Sequence, residues 1–286
     1  MNSQVVVIIG AGRSGTNILR DTLSVQNGWE TWPCDEINLI WRHGNNSHPN
    51  DEFTKEHAKP AVRNYIRNQF SNLENKSNAS VIVEKTCANS LRVPFVDACV
   101  PEAKYLNIIR DGRDVALSAA KRWTASPELG YLLKKLKYVP ISDIPHYGTR
   151  FISNRIHQLR SKERKQSSWG PRFKDMNDWA GTHSLLEVCA KQWAQCVTMS
   201  DAAFREMDDS KHLTVYYEDF VKEPKATLDV ISNWYGEDLS KSVPAQALSR
   251  INKGSVEGWR KQAGEFSDLS KSIMEPVLKK HGYKID

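Results

Sequence analysis

The chain has 286 residues, 40% of them hydrophobic and 26% charged, which is enough to bury one substantial core and sets a single domain over 1–286 as the default. Its five cysteines, Cys34, Cys87, Cys99, Cys189 and Cys196, are odd in number and widely spaced. They form no C-x-x-C pair, which argues against a zinc or redox motif and for a reducing compartment. The apolar start Val5–Ile9 is five residues long, has no basic stretch before it and runs into Gly10. It reads as a strand and not a signal peptide; no later run reaches bilayer length, so a cytoplasmic protein is expected.

In chain order, nearly continuous β-branched apolar runs fall at Val5–Ile9, Val81–Val83, Tyr105–Ile109 and Leu213–Tyr217. Continuous hydrophobicity is the mark of strands buried on both faces, as in a parallel sheet. Helical patterns at Gly15–Val25, Arg113–Arg122 and Lys225–Tyr235 follow three of them. Strand then helix, repeated, predicts right-handed βαβ units in an α/β fold: a central, mainly parallel sheet flanked by helices in three layers. A further amphipathic helix is expected over Leu185–Met207, with Leu186, Ala190, Trp193 and Val197 at core spacing. Residues 40–75 carry no recognisable family pattern.

The segment 123–183 interrupts this rhythm with Pro127, Pro140, Pro145, Gly148, Gly170 and Pro171. It reads as an insertion over the ligand-binding edge of the sheet. Between Lys121 and Asp175 stand thirteen Lys/Arg and four acids, a local +9 that leaves −3 for the rest of a +6 chain. Such a field attracts anionic ligands, unless it is simply a solvated basic face.

Gly10-Ala11-Gly12-Arg13-Ser14-Gly15-Thr16 joins the first strand to the first helix, where helix N-terminal N–H groups can cradle an anion. Three ligand classes compete for it. Gly10, Gly12 and Gly15 satisfy G-x-G-x-x-G, with Asp35 or Glu36 near the distance of a ribose-binding acid. The stretch before that acid, Gly28-Trp29-Glu30-Thr31-Trp32-Pro33-Cys34, makes a poor central strand, however. Gly10 and Gly15 also have the spacing of an NTP-binding loop, but Thr16 occupies the place of its lysine. In the third reading the cation lies inside the loop, at Arg13, followed by Ser14, Gly15 and Thr16. This resembles the 5′-phosphosulfate loop of sulfotransferases that use 3′-phosphoadenosine-5′-phosphosulfate (PAPS).

The segment Tyr105 to Ser118 is similar to that family's 3′-phosphate motif: a strand ending at Arg110, then Asp114-Val115, and Ser118 eight residues on. A guanidinium and a hydroxyl so spaced can converge on one phosphate. Lys253-Gly254 and Trp259-Arg260 resemble the family's K-G-x-x-G-x-W-[KR] element, although Glu257 replaces its second glycine. Tyr217-Glu218-Asp219-Phe220, with Pro224, resembles its Y-E-D-[LF] strand end, which implies a structural role. The likeness touches 5–25, 81–92, 104–122, 213–235 and 251–260.

The resemblance implies a sulfuryl transfer from PAPS to an acceptor hydroxyl, with 3′,5′-ADP released. It implies Gly12, Arg13, Ser14, Gly15, Thr16, Arg110, Ser118, Lys253 and Arg260 at the nucleotide, with Arg13 and Lys85 as electrostatic stabilisers. Fixed cations supply the charge, so no metal is expected. Cytosolic members carry K-T-H after a central strand. Here the stretch is Glu84-Lys85-Thr86-Cys87, which keeps the lysine and lacks the histidine. Cys34-Asp35-Glu36-Ile37-Asn38 resembles the tyrosylprotein branch, which places a catalytic glutamate there. Glu36 is therefore the expected general base and Asp35 the reserve, ahead of His43 and His48. The basic insertion favours an acidic or membrane-associated acceptor. A P-loop kinase-like phosphotransferase and a non-enzymatic anion-binding module are the rival readings. A nucleic-acid partner is disfavoured, because Lys134-Lys135-Leu136-Lys137 and 160–165 lack interleaved aromatics.

Overall fold

The computed structural model describes residues 1–124, 169–239, 243–244, 247–248 and 256–285. Five strands, β1 (Gln4–Ile9), β2 (Trp29–Glu30), β3 (Val81–Lys85), β4 (Lys104–Ile109) and β5 (His212–Tyr216), form one sheet in the order β2-β3-β1-β4-β5. Every pairing is parallel, as the continuous apolar runs predict. The segment before Asp35 supplies only the two-residue edge strand β2.

Alternate residues of β1 serve two cores. Val5, Val7 and Ile9 pack with Trp41, Phe70 and Phe95 on one face. Val6 and Ile8 pack with Leu19, Phe220 and Ile231 on the other. The first layer includes α2 (Asn38–Arg42), α3 (Pro60–Ser77) and α4 (Val93–Cys99). The second is built from α1 (Thr16–Leu23), α8 (Tyr217–Lys222) and α9 (Pro224–Tyr235). A third core joins α5 (Gly112–Trp123), α7 (Leu185–Arg205) and α10 (Asp268–Lys280). Gly112 lets α5 meet α7: a Cβ there would lie 2.4 Å from the Trp193 ring.

The range 40–75, which carries no family pattern, contains most of α3, which starts with Pro60, ends at a left-handed Asn78 and buries Val62, Ile66 and Phe70 at four-residue spacing. The range 123–183 contains α6 (Met176–Thr182). Its stretch 125–168 lies outside the described residues. Among the described residues, no helix is long and apolar enough to cross a membrane.

β3 and β4 flank β1 on opposite sides, because the chain runs from β1 out to the edge strand β2, reverses there and returns past β1 to β4 and β5, a change of winding direction centred on β1. In parallel α/β sheets such a switch point opens a crevice at the carboxyl ends of the strands. One wall of that crevice is pinned by a buried carboxylate. Asp51 accepts a bond from Arg42 Nη1 at 2.7 Å, lies 3.6 Å from Arg92 Nη1, and accepts from the Arg172 N–H at 2.9 Å. Burial disfavours its charge, but Arg92 and Arg42 more than offset this and hold its pKa below the ordinary aspartate value. A depressed carboxylate stabilises the fold above the unfolded pKa of about 3.9 and loses that contribution as pH falls below it. Asp51→Asn is therefore expected to cost about 3–5 kcal/mol in urea unfolding at pH 7. The gap between variant and parent should narrow as pH drops below about 4; a gap independent of pH contradicts the ionised assignment.

Candidate active site

The loop after β1 is shaped by close approach. A Cβ on Gly10 would lie 2.7 Å from the Ile108 carbonyl oxygen, so only glycine lets the loop cross β4 there. Gly15 has φ +91°, and a Cβ on it would lie 2.3 Å from the Tyr217 ring. Arg13 itself adopts φ 75°, a left-handed conformation that costs a non-glycine residue energy and occurs where surrounding structure enforces it. Gly12 lies under Trp169, whose ring a Cβ would meet at 3.4 Å.

Two charged clusters flank this loop. In the first, Arg13 Nε donates to Ser118 Oγ at 3.0 Å, and Arg110 Nη1 donates to the Arg13 carbonyl at 3.0 Å. The Arg110 guanidinium stacks 4.4 Å from the Tyr217 ring centroid. The three expected residues Arg13, Arg110 and Ser118 thus meet, although Ser118 reaches the Arg13 guanidinium and Arg110 the Arg13 backbone. Burial, with Arg122 and Arg110 nearby, lowers the pKa of Arg13. An anion bound between these groups relieves that repulsion.

The second cluster stands at the end of β3. Lys85, 4% exposed, donates from Nζ to Glu36 Oε1 at 3.2 Å, and the Cys87 N–H donates to the same oxygen at 3.4 Å. Burial opposes the charge on Lys85, but Glu36 outweighs it, and the lysine pKa lies above its ordinary value. The geometry is held from beneath by Glu84, which is fully buried and accepts from Thr86 Oγ1 at 2.6 Å, Trp41 Nε1 at 3.1 Å and Asn89 Nδ2 at 2.9 Å. Burial pushes the Glu84 pKa up. Thr86 Oγ1 in turn accepts from the Ile37 N–H at 3.2 Å, which fixes the peptide beside Glu36.

Cys87 stands where the K-T-H pattern has its histidine, and burial together with Glu36 pushes its thiol up to about 12. At neutral pH it is a protonated thiol, unsuited to act as base or nucleophile. Its Sγ lies 3.6 Å from Thr16 Oγ1.

The remaining candidates are engaged elsewhere. Asp35 faces Arg20, with its carboxylate 3.8 Å from Nη2 and its carbonyl accepting from Nη1 at 3.1 Å. His43 packs on Tyr65 at 3.8 Å, and His48 packs edge-on against Phe53 at 5.1 Å. Arg260 is exposed, pairs with Glu257 at 3.1 Å and lies over Trp259. Its neighbour Trp259 is anchored at the first turn of α5, where its N–H donates to Asp114 Oδ1 at 2.8 Å and its ring receives the Arg113 guanidinium at 3.6 Å. Lys253 lies outside the described residues. Sequence reasoning missed Tyr217, Trp169, Thr86 and Glu84 as parts of the site. Of these only Glu84, a lone acid in an apolar run, carries a visible signal.

At Ser14 the loop is prepared for a ligand. Its Oγ is buried without a hydrogen-bond partner among the described residues, a costly condition that a bound acceptor atom removes. The first N–H groups of α1 likewise have no intrahelical acceptor.

Several solved structures share this architecture at low sequence identity. The sulfotransferase domain from the curacin biosynthetic pathway aligns with TM-score 0.59 and 13% identity, covering 99% of this chain and 99% of that one. The sulfotransferase domain of the Synechococcus PCC 7002 olefin synthase gives 0.57 and 14%, covering 100% and 97%. Sulfotransferase STF9 from Mycobacterium avium gives 0.60 and 10%, covering 100% and 78%. No curated protein matches the chain. A family model described as the sulfotransferase family matches residues 5–160, more than half the length and both charged clusters, and the chain belongs to that family.

Proposed function

We propose that the chain transfers the sulfuryl group of PAPS to an acceptor hydroxyl and releases 3′,5′-ADP. The observation that carries this reading is the glycine loop after β1, with its buried Ser14 hydroxyl unpartnered among the described residues, beside the Arg13–Ser118–Arg110 cluster on one side and the Lys85–Glu36 ion pair on the other. A donor with one phosphate at its 5′ end and another at its 3′ position matches the loop and the separate Arg110–Ser118 pair better than a triphosphate does. The unpartnered Ser14 hydroxyl and the depressed pKa of Arg13 fit an anion in the loop.

Ser14, Gly15 and Thr16 hold the 5′-phosphate through α1 N–H groups and hydroxyls. Arg110 and Ser118 hold the 3′-phosphate, with Lys253 and Arg260 closing over it. Bound PAPS supplies a sulfuryl group attached to a phosphate leaving group. Glu36 accepts the proton that the acceptor hydroxyl gives up as its oxygen bonds to sulfur. Lys85 and Arg13 stabilise the negative charge that develops on the transferring oxygens and the departing phosphate. The proton on Glu36 then returns to solvent. The acceptor is a glycan, lipid or small-metabolite hydroxyl in the cytoplasm, and the basic range 123–183 supports an acidic or membrane-associated one.

Replacing Glu36 by Gln is expected to lower turnover about 10²- to 10⁴-fold while 3′,5′-ADP binds as before. Unchanged turnover removes Glu36 from the mechanism. Arg110→Ala is expected to weaken 3′,5′-ADP binding about 10- to 100-fold, the scale of a charge-assisted bond, and to leave 5′-AMP binding nearly unchanged. Calorimetric titration of both nucleotides checks this, and an equal loss for both contradicts the 3′-phosphate assignment.

A further inference from the structure

The peptide unit that follows Arg110 is gripped from both sides. Its carbonyl, on Arg110, accepts from Trp193 Nε1 at 3.1 Å, and its N–H, on Asp111, donates to Glu218 Oε1 at 3.0 Å. Glu218 is held in turn from the far end of the chain, where the Tyr283 hydroxyl donates to Glu218 Oε2 at 2.9 Å. Each carboxylate oxygen thus serves one partner. Tyr283 packs edge-on against Tyr216, the last residue of β5, with ring centroids 6.3 Å apart. Burial pushes the pKa values of both Glu218 and Tyr283 up, so the hydroxyl keeps its proton and remains a donor at neutral pH.

We infer that Glu218 and Tyr283 are positioning residues for the nucleotide site: together with Trp193 they fix the Arg110–Asp111 peptide and hence the aim of the Arg110 guanidinium. The inference rests on the reading of Arg110 as a 3′-phosphate holder. A side chain whose own peptide is clamped on both faces does not spend binding energy on ordering when an anion arrives. Loosening the clamp therefore lowers affinity for the ligand without removing any group that touches it. The Y-E-D-F segment, on this account, carries more than packing: its tyrosine wedges the first loop and its glutamate sets the second. The C-terminal turn around Tyr283 becomes part of the nucleotide site although it contacts no ligand.

Titration of the full chain with 3′,5′-ADP, alongside thermal melting, tests the inference. Tyr283→Phe and Glu218→Ala are each expected to weaken binding about 3- to 10-fold, the scale of one intramolecular hydrogen bond. Glu218→Gln should stay within about two-fold of the parent, because its amide oxygen still accepts from the Asp111 N–H. In an Arg110→Ala background, Glu218→Ala should add no further loss, since the group it aims is gone. A merely structural role lowers the melting temperature equally in both backgrounds and leaves affinity untouched; that result overturns the inference. So does a Glu218→Ala effect of equal size with and without Arg110. Should Glu218→Ala not fold, Tyr283→Phe, which removes one hydroxyl and keeps the ring, carries the test alone. Unchanged binding on Arg110→Ala itself overturns the nucleotide-site reading and this inference together, whereas a loss there with no effect of Tyr283→Phe overturns only the latter.

Discussion

Tyr217 stands at the junction of three loops, and the distances around its ring govern the rest of the site. Its edge presses on Gly15, where a Cβ would lie 2.3 Å away, and the Arg110 guanidinium stacks at 4.4 Å from its centroid. The loop after β1, the loop after β4 and the first turn after β5 are thereby held at a spacing set by one aromatic ring. Arg110 then reaches the Arg13 carbonyl, and Arg13 in its left-handed conformation extends to Ser118. A glycine at position 15 is the condition for this closeness, since the ring leaves no room for a side chain and φ +91° disfavours one.

On the other side of the crevice the controlling quantity is charge in a dry setting. Glu84 and Lys85 are adjacent, both buried, and face opposite ways. Glu84 turns inward to Thr86, Trp41 and Asn89, while Lys85 turns to Glu36. Full hydrogen bonding of Glu84 is what makes a buried carboxyl tolerable, and Thr86 relays that order to Ile37 and so to Glu36. Beyond them, Asp51 with Arg42 and Arg92 ties the wall after α2 to Arg172. Glu36, its lysine partner and the surrounding wall thus belong to one hydrogen-bonded framework.

Much of this was legible in the sequence because it is local. The four apolar runs mark β1, β3, β4 and β5 to within two residues, and glycines at 10, 12 and 15 mark the anion loop that follows the first. Residues 36 and 85 were both visible as candidates, but their pairing depends on how the segment after β2 returns to the end of β3, which no local pattern encodes. Arg13 and Ser118 are 105 residues apart, and their contact follows from β1 and β4 lying side by side. Tyr217 looked like packing because a wedge and a core residue have the same composition. The helix over Pro60–Ser77 escaped notice because its many polar residues dilute an apolar stripe that is only one residue wide per turn.

Sulfuryl transfer differs from its rivals in what must leave with the group. A kinase-like enzyme consumes ATP, a binding module consumes nothing, and the reaction proposed here converts PAPS to 3′,5′-ADP in step with acceptor sulfation. The direct measurement is incubation of the purified chain with PAPS labelled on sulfur and a panel of hydroxyl acceptors, following both products. Label appearing in an acceptor, mole for mole with 3′,5′-ADP, is the result predicted. Release of 3′,5′-ADP without any labelled acceptor, or turnover of ATP in its place, would contradict it.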